Sequence, residues 1–367
     1  MSEQAVAPAP WRQAARRFRR NRPAMAGLIA LIAITLFCVF GPLVSSQDYD
    51  RVYPDYVKTP ASLTAHPSEE EARHVIATVA ARMHASVKDV SISGDVARIA
   101  LESNRPIDDR LLAYFERSGQ FGKPDVVERS DEGRGIVVRA PIKRVTFLAG
   151  ADSNGRDLLV RLMIGGRVSL LVGLLASFVA LAIGVGWGAS AGYLGGRVDM
   201  VMMRVVDILY ALPFIFFVIL LIVFFGRHFV LIFVAIGAIE WLDMARIVRG
   251  QTLSLKRQEF VLAAEALGIG AAGIVRRHII PNLVGPVLAY LTLLAPRIIL
   301  LESFLSFLGL GVQEPMTSLG VLVSEGARGI EDAPGLLFFP ALLLSLILFA
   351  LNFVGEGLRD ALDPRER

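Results

Sequence analysis

The sequence has a single cysteine, Cys38, in 367 residues. No disulfide can form within the chain, and the count says nothing about the redox compartment. Charge is also scarce: Asp, Glu, Lys and Arg make up 20% of the residues, against about 25% in ordinary soluble domains. No phosphate loop of the Gly-x4-Gly-Lys-Ser/Thr type occurs. The nearest string, Gly119-Gln120-Phe121-Gly122-Lys123-Pro124, has the wrong spacing and ends in proline, which excludes a nucleotide site of that kind. There is no His-Glu-x-x-His, no nucleophile–base arrangement and no pair of catalytic carboxylates. His66, His74 and His84 do not stand at the i+3 or i+4 spacing that shares a helical face, so they read as surface histidines and no metal site is expected.

Apolar sequence fills the space that charge leaves. Hydrophobic residues make up 54% of the chain, and the mean hydropathy is +0.55. Runs of 18 or more apolar residues are long enough to cross a hydrocarbon layer about 30 Å thick. Six spans are expected: Met25–Val44, Val168–Gly192, Val205–Phe225 interrupted by Pro213, Phe229–Val248, Leu283–Phe307 and Leu336–Val354. Glu240 and Asp243 inside the fourth loosen that count by one. The formal net charge of +4 does not point to nucleic acid, because the arginines cluster beside apolar runs, where they set topology. Arg12, Arg16, Arg17, Arg19, Arg20 and Arg22 precede the first run without an acidic neighbour. That run is about 20 residues, longer than the 7–15 of a signal-peptide core, so it reads as an uncleaved span. Six crossings put both termini in the cytoplasm. Within the second span Gly184, Gly188 and Gly192 repeat at i+4, a spacing that lets another helix backbone come close.

Residues 47–147 differ in kind, being charged and nearly balanced in sign. Ser68–Met83 reads as a helix with Ser68 as N-cap. Val90–Ile92 and Val96–Leu101 alternate like strands around Ser93-Gly94-Asp95, Pro106–Arg117 suits a helix, and Val126–Glu128 and Ile136–Val138 are short strand candidates. A small α+β domain outside the membrane is expected. The remaining divisions are 1–46, a core at 148–357 and a tail at 358–367.

The loop at 250–281 contains Gln258 to Gly268, rich in Ala, Leu and Glu, with Gly268 as a natural stop. Its alanines give a narrow face, and Leu262 and Leu267 are apolar anchors. A second short helix, Ala271–His278, is expected to end at Pro281. Taken on the residues alone, this hairpin is either a docking element for a partner or an ordinary interfacial helix.

Four stretches then carry a resemblance. Ala263-Ala264, three residues, Gly268, twelve residues and Pro281 resemble the "EAA" loop of binding-protein-dependent ABC importer permeases, with Leu262 where an acid is usual. His278-Ile279-Ile280-Pro281-Asn282 resembles the corresponding end in the dipeptide/oligopeptide/nickel branch. Gly150 to Leu158 resembles that branch's Gly-Thr-Asp-x-x-Gly-Arg-Asp signature, with Ala151 for Thr and with Asp152, Gly155, Arg156 and Asp157 matching. Ala191–Asp199 with Arg204–Leu209, and Glu302–Gly311, resemble its second loop and its fifth-span exit.

The resemblance implies an all-α polytopic permease of the type I importer fold in a bacterial inner membrane. Glu259, Leu262, Ala263, Ala264, Leu267, Gly268 and Pro281 would form a coupling loop seated on a separate ATPase. The implied partners are a second related permease, two ABC ATPases that handle ATP and Mg, an extracytoplasmic substrate-binding protein and membrane lipid, and no cofactor is expected in this chain. Four acids at membrane depth, Glu302, Asp207, Glu240 and Asp243, ask for an account, and two of them are given one. Glu302 either meets a substrate ammonium group or bonds to the Gly/Ser-rich exit segment. Asp207 is expected to pair with Arg204 or another arginine on the cytoplasmic side. Two rival readings are a membrane-anchored sensor or assembly protein acting through 47–147, and an ion-coupled secondary transporter. The second rival lacks the internal repeat common in such proteins.

Overall fold

The computed structural model of the chain describes residues 10–45, 47–130, 133–226 and 229–362. Arg227 and His228 of the turn expected at Gly226-Arg227-His228, and the tail beyond Leu362, lie outside the described residues. The chain divides into two compact units. One comprises Met1–Asp48, Val160–Ile330 and Leu336–Arg367, and the other Tyr49–Leu159 with Glu331–Gly335.

Helices α1 (Pro10–Arg20) and α2 (Arg22–Val44) open the first unit. Asn21 separates them, its Oδ1 accepting from the Ala24 N–H at 3.2 Å as the cap of α2. Only a narrow strip of α2 is buried, with Ala24, Gly27 and Cys38 inside and Ile29, Leu36, Phe40 and Leu43 outside. An apolar outer face of this extent suits a lipid environment.

The second unit is built around a four-stranded antiparallel sheet. Its helix α3 (Glu69–Arg82) is followed by β1 (Ala85–Ser93), β2 (Val96–Ser103), α4 (Ala113–Arg117), β3 (Asp125–Arg129) and β4 (Gly135–Pro141). The strands lie in the order β1-β2-β4-β3. Gly94 turns the first hairpin with φ +59°, a left-handed value that favours glycine. Ser68 caps α3 in a full capping box: Glu71 N–H donates to Ser68 Oγ and Ser68 N–H to Glu71 Oε2. That backbone bond, with His66 beside it, holds the Glu71 carboxyl below its ordinary value. Ile76, Val79, Ile99, Phe115, Phe121 and Val138 close the core between helix and sheet. The strands run longer than their alternating cores suggested, because backbone pairing continues past the last buried side chain. The helix expected over Pro106–Arg117 is a 3-10 turn at Asp109–Leu112 leading into α4, with Asp108 capping the turn.

The first unit resumes with α5 (Leu158–Leu194), α6 (Gly196–Ala211), α7 (Phe214–Phe225), α8 (Phe229–Leu255), α9 (Glu259–Ala266), α10 (Ala271–Ile274), α11 (Ile280–Phe307), α12 (Leu319–Arg328) and α13 (Gly335–Leu362). The helix around the second expected span begins well before Val168 and is 37 residues long. Gly184, Gly188 and Gly192 face α8, where an added Cβ would stand 2.6 Å from Met244 Cβ, 2.9 Å from Val248 Cβ and 2.8 Å from Thr252 Cβ. The two helices touch at these three turns.

The interruption expected at Pro213 in the run Val205–Phe225 is a sharp bend: α6 and α7 meet at 86°. Proline disfavours helical geometry at the residue before it, and Leu212 before Pro213 is extended, with φ −74° and ψ 130°. The helix from Ala271 does not end at Pro281. It continues to Phe307, with a π-helical stretch at Val275–Ile279. The wider π turn removes the tight i−4 contact that a proline ring would otherwise make. Among the described residues four helices are long and apolar enough to cross a membrane, or five if the bent pair counts as one crossing. The remaining expected crossing, the fourth along the chain, is α8, which is long enough but carries Glu240, Asp243, Arg246 and Arg249.

Candidate functional site

The segment between α8 and α11 is a compact hairpin. Gln258 precedes α9, and Gly268 ends it with φ +79°. The Gly268 N–H donates to the Glu265 carbonyl and the Ile269 N–H to the Ala264 carbonyl. This pair of bonds is the glycine-dependent C-terminal stop that satisfies the last carbonyls of a helix.

The helix presents two faces. Val261 and Ala264 are buried and join Ile274 and Ile279 in the apolar cluster of the helical unit. Phe260, Leu262, Ala263 and Leu267 point outward, Leu262 at 52% and Leu267 at 81% exposure. The two alanines therefore do not share a face, as the sequence reading had them: Ala264 seats the helix on its own chain and Ala263 faces away. Adjacent residues on a helix point about 100° apart, and that is the physical reason. Glu259 and Pro281 are exposed.

Three side chains that the sequence reading did not single out hold this hairpin and the start of α6 in place. Tyr193, at the end of α5, donates to Glu265 Oε1 at 2.9 Å. Lys256 Nζ donates to the Tyr193 carbonyl at 2.6 Å and lies 5.1 Å from the centre of its ring. Arg249 grips Asp199 with two bonds, of 2.5 and 2.6 Å, which pins the start of α6 to α8. Tyr193 and Asp199 stand in the stretch that resembles the branch's second loop, and that was the available signal. Of the arginines the expectation left open for Asp207, Arg246 is the one that pairs with it, at 3.0 Å. Arg246 also lies over the Tyr210 ring at 4.2 Å.

Residues of the 150–157 signature fold into a small knot in the second unit. Asp152 Oδ1 accepts from the N–H groups of Asn154 and Arg156, both at 2.8 Å, while Arg156 Nε donates to Oδ2 at 2.8 Å. Gly155 has φ +78° and its carbonyl accepts from the Tyr53 N–H at 2.9 Å. Asp157 is buried and pairs with Ala151 in an isolated bridge. The geometry is that of a structural clasp.

Glu302 is fully buried. Its Oε2 accepts from Ser169 Oγ at 3.2 Å and its Oε1 from Ser306 Oγ at 2.8 Å. Ser169 Oγ in turn accepts from the Leu319 N–H, so the carboxyl links α5 and α11 to the start of α12. Arg297 on α11 reaches Asp243 Oδ2 at 2.9 Å and stands 3.5 Å from Glu240 Oε1. An arginine inside an apolar run was a visible signal that the sequence reading passed over. Among the described residues no group of three or more His, Cys, Asp or Glu side chains could hold a metal ion.

Comparison with known proteins gives a consistent result. A family profile described as the binding-protein-dependent transport system inner membrane component matches residues 184–367, and one described as the N-terminal TM domain of oligopeptide transport permease C matches residues 9–63. The oligopeptide transport system permease protein OppC of Escherichia coli (strain K12) is 44% identical over 97% of this chain and 92% of its own length. OppC of Bacillus subtilis (strain 168) is 34% identical over 97% of this chain and 90% of its own. The dipeptide transport system permease protein DppC of the same organism is 46% identical over 59% of this chain and 68% of its own. A solved structure of the MetNI methionine ABC transporter in an inward-facing conformation gives a TM-score of 0.48 at 17% identity, over 56% of this chain and 99% of that one. With a profile covering half of the sequence and relatives aligned along nearly all of it, the chain belongs to the binding-protein-dependent transport system inner membrane components, as a multi-pass permease component.

Proposed function

We propose that this chain is one of two permease subunits of an ATP-driven importer that carries di- or oligopeptides delivered by a substrate-binding protein. The observation that carries the reading is the hairpin at α9: Phe260, Leu262 and Leu267 are exposed apolar side chains on different sides of the short helix and its cap, while Val261 and Ala264 hold the helix down. A short helix left with apolar side chains in the open is a ready insert for the groove of another protein. Since the chain has no phosphate loop, ATP and Mg belong to two ATPase subunits that seat this helix. The names of the relatives, oligopeptide and dipeptide permeases, support the peptide cargo. The arginines ahead of α2 support a cytoplasmic N-terminus, which puts α9 on the side where ATP is. The sheet unit then faces the binding protein.

The test is site-directed crosslinking. A cysteine at Leu262, in a Cys38→Ala background, should crosslink to an ATPase subunit in membranes of cells carrying the whole transporter, while a cysteine at Ala264 should not. Absence of any ATPase from both the crosslinked and the co-purified material would overturn the coupling assignment. Uptake of a labelled tripeptide tests the cargo separately.

A further inference from the structure

The helical unit contains an open cavity of about 490 Å³ whose wall includes Tyr210, Glu240, Asp243, Arg297, Leu301 and Phe304. Arg297 lies ten residues before the end of α11, so at about 1.5 Å per residue it sits roughly 15 Å along the helix from that end. That is close to the middle of a hydrocarbon layer about 30 Å thick. Ionisable groups at such depth are costly and mark pathways unless they are fully neutralised. Here they are not. Glu240 and Asp243 stand at i and i+3 on one face of α8 and share one guanidinium, so two carboxyl groups lean on a single cation.

The shortfall is located at a particular atom. Glu240 is 3% exposed, and its Oε2 is buried with no hydrogen-bond partner among the described residues. A buried carboxylate oxygen without a donor is expensive, so the site is incomplete as it stands. The resident cation bonds Asp243 at 2.9 Å, yet its side chain is 55% exposed and its contact to Glu240 is long, at 3.5 Å.

Resting on the peptide-permease reading, we propose that this cavity is a way-station for the ammonium terminus of the transported peptide, with Glu240 and Asp243 as its acceptors. An ammonium carries N–H donors that can meet Glu240 Oε2 and the carboxylate Arg297 now holds. The apolar walls at Leu301 and Phe304 accept side chains of varied shape without reading them, as a carrier of mixed peptides requires. Arg297, displaced from its acids, is free to meet the carboxylate at the other end. The recognised chemistry is the zwitterion that all unblocked peptides share. Glu302, by contrast, is fully enclosed by serines and does not line the cavity.

The experiment compares uptake of an alanine tripeptide with a free amino terminus and of its N-acetylated form, in vesicles carrying the complete transporter and its binding protein. Any preference of the binding protein is common to wild type and variant, so it cancels when their uptake ratios are compared. Glu240→Gln keeps the shape and removes the charge. It should lower the ratio of free to acetylated uptake by about tenfold, as loss of one charge-assisted bond implies. A ratio within twofold of wild type overturns the inference while leaving the peptide reading intact. No uptake of either peptide by the wild type overturns the peptide reading and this inference with it. Asp243→Asn provides the second variant: loss of subunit assembly in both, read by co-purification, assigns the acids to a subunit contact and also overturns the proposal.

Discussion

Tyr193 and Glu265 are 72 residues apart in sequence and joined by a 2.9 Å hydrogen bond from the phenol to Oε1. The bond runs from the end of α5 to the last turn of α9, and Lys256 locks the same tyrosine through its carbonyl. The bond thus ties α9 to α5, and the close glycine contacts of α5 tie it in turn to α8. A coupling element needs this kind of rigid path, in which a push on a short surface helix displaces a long one.

Tyr193→Phe keeps the ring and deletes the bond. The loss, about 1 kcal/mol for a hydrogen bond with a charged acceptor near the surface, should reduce uptake roughly fivefold while the amount of chain in the membrane stays the same. Uptake normalised to the membrane-inserted protein is the measurement. Unchanged uptake would show that the path does not run through this bond.

The two alanines of α9 should separate folding from docking. Ala264→Arg forces a charge into the apolar cluster with Val261 and Ile274, so it should lower the melting temperature in detergent as well as abolish uptake. Ala263→Arg, on the outward face, should leave melting unchanged and abolish uptake with loss of ATPase co-purification. Gly268→Asp strains a position at φ +79° by about 1 kcal/mol and should also abolish uptake with insertion intact. Equal effects of the two alanine variants on melting would contradict the face assignment.

Much of this fold is legible in the sequence because its signals are local. Apolar runs long enough for a membrane, the Ser68 cap, the Gly94 turn and the Gly268 stop each depend on a few neighbouring residues. What the sequence hides depends on partners far along the chain. The bend at Pro213 and the continuity through Pro281 involve the same residue type with opposite outcomes, decided by whether a π turn or an extended residue precedes it. Ala263 and Ala264 look alike in the string and are sorted only by what lies beneath the helix. Pairing of Asp207 with Arg246, and of Arg297 with two acids on α8, requires knowing which helices are neighbours.

The sheet unit should show an acid-labile helix start. Glu71 has its carboxyl held below the ordinary value of 4.5 by the Ser68 N–H and His66. A carboxyl lowered in the folded state contributes stability that is fully present above its unfolded value and is lost as pH falls through the folded one. The protection of the first-turn amides of α3 against hydrogen exchange, taken relative to the intrinsic rate at each pH and followed in the full chain, should therefore fall only as pH drops below about 4.5. Glu71→Gln preserves the capping geometry without a titrating group, and in that variant the pH dependence should vanish. Persistence of the same dependence in the variant would assign it to another group.

Glu302 and Glu240 are both acids in long helices with little exposure, and they should behave in opposite ways. Glu302 accepts from Ser169 and Ser306 and ties α12 to two other helices. Glu302→Leu strands both hydroxyls in a buried site, at a cost of about 1–3 kcal/mol each. It should lower the melting temperature sharply, and Glu302→Gln, which keeps one acceptor oxygen, should do so less. Because Glu302 is walled off from the cavity that holds Glu240, neither variant should change the ratio of free to acetylated tripeptide uptake in whatever folded transporter remains. Thermal unfolding in detergent and the uptake ratio, measured on the same preparations, check the two halves independently. A changed ratio with unaltered melting would move Glu302 from the scaffold into the pathway.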